Sequence, residues 1–401
     1  MRTSNEPRLQ QRAPTRRGHG AGAAALLALA TLAVGTAADA GTASQRHLDA
    51  AAAASDAGAG SRRQPDEAVA PGVSSGAQRQ LRIVASLTPY RSIAEEIIGD
   101  NGTVESIATP RQDAHFVQAK PSYSIMLSRA DLLLATGLDL EMWMPAVIDK
   151  SRNPRIREGE PGYVSVATGV PMLEVPADTS RAGGDIHVFG NPHVHTDPLR
   201  AVIVANNIKI GLQNVDGDNA AYYEERFRAF KSKIHERLFG AELVGLVGGD
   251  KLADLAMRKQ LRAFLQETQI GGAPLLDRQG GWLAEAECLR GRRIVAYHLN
   301  WVYLMDRFDI EVAAYVERRP GIPPSASHVA TLIELIRRES IPVLWVANYF
   351  DEQTPRLIAE RTGATFLYVP LYTDPGSPDL DEYTELIDTW IETMKGAVPG
   401  C

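Results

Sequence analysis

From Leu81 onward, short runs of apolar strand formers alternate with helix-length segments, and this rhythm restricts the chain more than any other feature. Arg82 to Ser86 (RIVAS) has the composition of a short buried strand. Tyr90 to Ile98 carries Ile93, Ile97 and Ile98 at helical spacing before the turn GDNG. Val104 to Ala108 is a second strand, and a loop containing His115 follows it. Pro121 stands where a helix would start, and Ile125, Leu127 and Ala130 lead into a strand at Asp131 to Ala135. Strand, helix, strand at this spacing predicts a parallel sheet with crossover helices. A second such region has strands at 293–296, 343–347 and 365–369 and helices at 327–338 and 353–362.

Between these regions the pattern changes. Asp197-Pro198 opens a helix to about Leu212, and a charged segment, Ala220 to Leu238, follows the turn DGDN. Tyr223, Phe227, Phe230 and Ile234 give that segment one apolar stripe, which suits either a connector or an ordinary surface helix. Residues 241–290 add a helical piece, LADLAMRKQLRAFLQ, and a loop, GGAPLLDRQGGW.

The N-terminal residues have a different character. Five arginines, an apolar run from Ala21 to Val34 and Ala38-Asp39-Ala40 read as a secretory signal peptide over 1–40. The run is too short for the roughly 20 residues a spanning helix needs. No cysteine follows it, so a lipid anchor is not expected. Residues 41–80 are Ala, Gly, Ser, Asp, Arg and Pro with almost no large apolar side chain, the composition of a disordered linker. The mature chain is therefore expected to be exported and soluble in the periplasm, with 37 bases against 47 acids. Acids outnumber bases, which argues against a nucleic-acid partner. No GxGxxG, P-loop or GxSxG occurs, so nucleotide and serine-hydrolase chemistry have no support. Cys288 and Cys401 lack the spacing of thiolate metal sites.

The histidines carry the chemistry. Asp113-Ala114-His115, GNPHVHTDP with His193 and His195, Tyr297-His298 and LYTDPG with Asp374 each follow a strand or precede a helix. In open parallel sheets that edge is where ligands bind. Three His and one Asp complete a four-coordinate set for a borderline divalent metal. Asp113 and Asp197, near histidines in sequence, could accept hydrogen bonds from imidazole. Each histidine taken singly also suits a structural role.

With DAHFVQAKPSYSIMLSRADLLLATGLDLEMW, GNPHVHTDP, VAYHLNWVYLMDRF with ERRPGIPPSASH, and IAERTGATFLYVPLYTDPG in order, the chain resembles the periplasmic zinc/manganese substrate-binding proteins of ABC transporters. That resemblance implies an α/β fold of two lobes, each a mainly parallel sheet flanked by helices. One long rigid helix would join them, with a metal in the cleft. It implies an N-terminal lobe over 81–217, a connecting helix over 218–240 and a C-terminal lobe over 241–401, of which 241–290 is an extra segment. The implied ligands are His115, His193, His298 and Asp374. His195 replaces the family's usual aromatic and could compete with His193, and Asp351 or Glu352 could replace Asp374. His187 and His328 are expected to serve loops and a helix start. The implied role is capture of Zn2+, or Mn2+ next, by a non-enzymatic monomer for an ABC permease. The rival is a secreted zinc hydrolase with an open coordination position and Glu141 as its base.

Overall fold

The computed structural model describes residues 79–176, 187–317 and 321–401. The signal peptide and nearly all of the linker expected from sequence lie outside these residues. The chain order opens with β1 (Leu81–Ala85), α1 (Thr88–Ile98), β2 (Gly102–Ser106), α2 (Pro121–Ser128), β3 (Leu132–Ala135), α3 (Met144–Ser151), β4 (Tyr163–Ser165) and α4 (Pro198–Val215). The four strands form one parallel sheet in the order β2-β1-β3-β4. β3 is buried at every position, as a strand covered on both faces must be.

Next comes α5 (Ala220–Phe239), whose Tyr223, Phe227, Phe230 and Ile234 are all buried. The apolar stripe read from sequence is thus its packed face, extended by Leu238 and Phe239. Four short helices follow, α6 (Ala241–Val247), α7 (Gly249–Met257), α8 (Leu261–Glu267) and α9 (Gly281–Glu285), with a two-residue antiparallel pair β5 (Gln269–Ile270) and β6 (Ala273–Pro274) before α9. The single helical piece expected over LADLAMRKQLRAFLQ is therefore two helices. The break is at Lys259, which takes a positive φ of 59°. Gln260 N–H reaches back to the Leu255 carbonyl and Lys259 N–H to Ala256, a Schellman ending built without glycine. Gly281 lies against the end of α5, where a Cβ would sit 2.2 Å from the Arg237 carbonyl oxygen. Only glycine permits that approach.

The second sheet holds β7 (Arg293–Ala296), β8 (Glu311–Tyr315), β9 (Val343–Ala347) and β10 (Thr365–Val369), all parallel, in the order β10-β9-β7-β8. α10 (Val302–Arg307), α11 (Ala326–Glu339), α12 (Gln353–Thr362) and α13 (Tyr383–Ala397) complete the chain. One apolar core runs continuously from the first sheet through α5 to the second, and a smaller cluster lies between the second sheet, α11 and α12. The fold is α/β, with two parallel sheets flanked by helices, as expected. β4 and β8 escaped the sequence reading because they are edge strands with half-buried, unremarkable residues. Cys288 and Cys401, whose pairing is open from sequence alone, form a disulfide with Cα atoms 5.3 Å apart. No described helix is long and apolar enough to cross a membrane.

Candidate metal centre

His115 sits on a 3-10 turn, Ala114–Phe116, reached by the loop after β2. Asp113 Oδ1 accepts both the His115 backbone N–H at 3.0 Å and His115 Nδ1 at 2.7 Å. His193 stands at the start of a 3-10 turn, Val194–Thr196, ahead of α4. There Asn191 Oδ1 accepts the His193 backbone N–H at 3.0 Å and its Nδ1 at 2.9 Å. The same device, an oxygen two residues upstream, thus aims both rings. His298 lies two residues past the end of β7, and its Nδ1 lies 2.6 Å from Glu317 Oε2, just beyond the neighbouring β8.

With each Nδ1 committed to an oxygen acceptor, Nε2 is the nitrogen each ring offers. The ligand nitrogens of His115, His193 and His298 all lie within 4.8 Å of one another, the one such group of three or more among the described residues. His193 Nε2 is buried with no hydrogen-bond partner. Burial, then the neighbouring imidazoles, hold His193 well below its ordinary pKa, so its ring stays neutral and keeps a lone pair. Asp113, His115, Phe116, His298, Glu317, Gly321 and Phe350 line a cavity of about 200 Å3 beside the rings.

Three of the four ligands expected from sequence therefore meet, and Asp374 is not in that group. Its backbone closes a turn instead, with its N–H on the Leu380 carbonyl and its own carbonyl accepting from Ser377. The alternatives are engaged elsewhere. Asp351 caps α12 at Gln353 and Glu352 pairs with Arg356. His195 is fully buried, packed against Tyr372 with ring centroids 5.5 Å apart, and burial pushes its pKa down to about 3. His328 lies at the start of α11 and bonds the Tyr315 carbonyl. Asp197 does not orient an imidazole, contrary to expectation. It caps α4 at Leu199 and is buried against Arg200 and Arg307, so Asn191 fills the role imagined for it. Glu317 was missed altogether, because only the pairing of β7 with β8 brings it to His298. Glu141, the base a hydrolase would need, accepts the N–H groups of Thr136 and Gly137 and lines a different cavity.

A family model described as "Zinc-uptake complex component A periplasmic" matches residues 83–237 and 279–397. The iron-binding protein YfeA of Yersinia pestis is 25% identical over 325 residues, covering 80% of this chain and 87% of that protein. The manganese ABC transporter substrate-binding lipoprotein PsaA of Streptococcus pneumoniae is 20% identical, covering 79% and 86%. Among solved structures, a crystal structure of ZnuA aligns with a TM-score of 0.57 at 20% identity, over 80% of this chain and 99% of its own. A Mn-bound periplasmic metal-binding protein from candidatus liberibacter asiaticus gives 0.55 at 19%, over 79% and 98%.

Proposed function

Because the chain belongs to the family of periplasmic zinc-uptake components, we propose that it is an exported binding protein that captures a divalent transition metal and delivers it to an ABC-type permease. Zn2+ is the foremost cargo in this reading and Mn2+ the next. Relatives are named for iron and for manganese. Three imidazoles favour zinc, whereas manganese prefers more oxygen.

The observation that carries the proposal is the convergence of three Nε2 lone pairs, one of them buried and without a partner. An orphaned buried acceptor costs about 1–3 kcal/mol, which a bound cation would remove. In a tetrahedron with Zn–N bonds near 2.1 Å the ligand nitrogens stand about 3.4 Å apart, inside the 4.8 Å within which all three lie here. Asp374, the expected fourth ligand, would have to move to join them. In this proposal residues 81–217 and 241–401 are the lobes that supply ligands and 218–240 is the stiff connector. No bond-making step is assigned, and the hydrolase reading has nothing to support it. The placement is periplasmic or extracellular. The PsaA relative is named a lipoprotein.

Zinc titration of the wild type beside His115→Ala, His193→Ala and His298→Ala tests the site. Each variant should lose well over the roughly 100-fold that marks the upper range for residues behind the ligands. Two variants binding within about threefold of the wild type would refute it, set against that same 10–100-fold scale.

A further inference from the structure

His187 lies against the three-histidine cluster from just outside it. Its Nε2 is 3.0 Å from His115 Nε2, and its ring centroid is 5.1 Å from that of His115 and 6.3 Å from that of His193. Two imidazole nitrogens at that distance share one proton, and the surroundings say whose it is. Asp113 Oδ1 fixes the His115 proton on Nδ1, so a neutral His115 presents a bare lone pair at Nε2. The N–H in the contact therefore belongs to His187. The lone pair that His115 would give a metal is already occupied by His187, and an arriving cation must displace that N–H.

Once displaced, the same nitrogen already touches one ligand, and because His187 lies outside the group of three whose ligand atoms are mutually within 4.8 Å, it must shift to bind. The edge of a tetrahedral ZnN4 site is about 3.4 Å, within a few tenths of an ångström of the His115–His187 separation. Moving the proton of His187 from Nε2 to Nδ1 turns the donor into a ligand with no net change in protonation. Asp374 stands outside the cluster, and among the described residues no carboxylate joins the three histidines.

We propose that His187 is the fourth metal ligand, giving an all-imidazole centre, and that in the metal-free protein its N–H plugs the site. This inference rests on the reading of His115, His193 and His298 as a metal centre. It replaces the carboxylate expected at the fourth corner with a nitrogen. Selectivity follows, since four imidazoles disfavour Mn2+, which prefers oxygen ligands, more than three imidazoles and a carboxylate do.

The test is titration of the full mature chain with Zn2+ and, separately, Mn2+, together with the visible absorption of the Co2+-loaded protein. The proteins compared are the wild type, His187→Ala, His187→Gln, Asp374→Ala and His193→Ala, with thermal melts of the metal-free forms to show that each folds. His187→Ala and His187→Gln should each weaken Zn2+ binding by about 100-fold or more, beyond the range of residues that only orient ligands. Both should also narrow the preference for Zn2+ over Mn2+ and change the Co2+ spectrum. Asp374→Ala should stay within about threefold of the wild type, well inside that range. The inference is overturned if the His187 variants bind Zn2+ like the wild type with an unchanged Co2+ spectrum, or if Asp374→Ala shows the loss instead. Should His193→Ala also bind normally, the metal centre itself is wrong. Should His193→Ala abolish binding while His187→Ala does not, only the fourth ligand is wrong.

Discussion

Each ring of the triad is held by an oxygen that accepts a hydrogen bond from Nδ1–H, and this fixes both the tautomer and the direction of Nε2. Asp113 and Glu317 do so as carboxylates, Asn191 as an amide. A carboxylate behind an imidazole also raises its basicity, so its loss weakens the metal bond even when the ring stays in place. Glu317→Ala and Asp113→Ala should therefore each lower zinc affinity by roughly 10–100-fold, measured by competition against a chromogenic chelator. Glu317 has a second duty, accepting the Gly321 N–H through Oε1, so its variant should also loosen the rim of the cavity. An unchanged affinity in both variants would mean that the rings are positioned by packing alone. The legibility of these partners differed for a physical reason. Asp113 and Asn191 lie two residues before their histidines, within reach of a local reading, and only the assumption that Asp197 did the same work misled. Glu317 is 19 residues from His298 and is brought there by strand pairing, which leaves no mark in local sequence.

At the level of elements, short parallel strands and their helices were readable because burial on both faces demands continuous apolar runs, as in Leu132, Leu133 and Leu134. Contacts between elements distant in sequence were not readable. The disulfide is the plainest case, since Cys288 lies in a 3-10 turn before β7 and Cys401 follows α13, 113 residues later. Such a cross-link acts mainly by limiting the unfolded chain, and long loops gain most. Cys288→Ser with Cys401→Ser should cost about 2–5 kcal/mol, read as a fall in the denaturant midpoint. Zinc affinity should hold, because neither cysteine lines the histidine cavity. A variant as stable as the wild type would mean that packing of α13, through buried Leu386, Trp390 and Met394, already fixes the terminus.

Across the whole molecule the two lobes are joined by more than α5. Arg307 of α10 forms two hydrogen bonds, 2.9 and 2.8 Å, to the buried carboxylate of Asp197 at the head of α4. Burial would raise the pKa of Asp197, yet Arg307 and Arg200 together outweigh it and hold the carboxyl below its ordinary range. A carboxylate whose pKa is depressed on folding contributes stability above its unfolded pKa, near 3.9, and loses it as pH falls through the folded value. Removing Arg307 leaves the buried carboxylate with Arg200 as its one cationic partner and without two of its hydrogen bonds. Arg307→Ala should therefore cost about 3–5 kcal/mol at neutral pH, and the wild type should lose this contribution only in acid below about pH 4. Guanidinium melts from pH 3 to 7 would show both, and a flat difference across that range would exclude the pair as a lobe fastener.

The same fastening bears on how a cargo is taken up. Tyr303 Oη donates to the Asn191 carbonyl, Asn191 Nδ2 to Leu299, Thr88 Oγ1 to the Thr373 carbonyl and Tyr383 Oη to that of His195. Those bonds cross between the lobes beside the histidines, and the apolar core is continuous beneath them. Asn191 is therefore at once the acceptor that aims His193 and a rivet between lobes, so wide opening would disorder the ligand it positions. Closing by rotation about a hinge would break several buried hydrogen bonds at about 0.5–1.5 kcal/mol each, more than a local loop shift requires. Metal capture should thus be a matter of side chains and short loops moving within a nearly fixed frame. Small-angle scattering of the zinc-free and zinc-loaded protein should give radii of gyration equal to within about 1 Å, the scale of a pre-organised partner. A contraction beyond that would show that these inter-lobe bonds open in solution and that the loaded state is reached by domain closure.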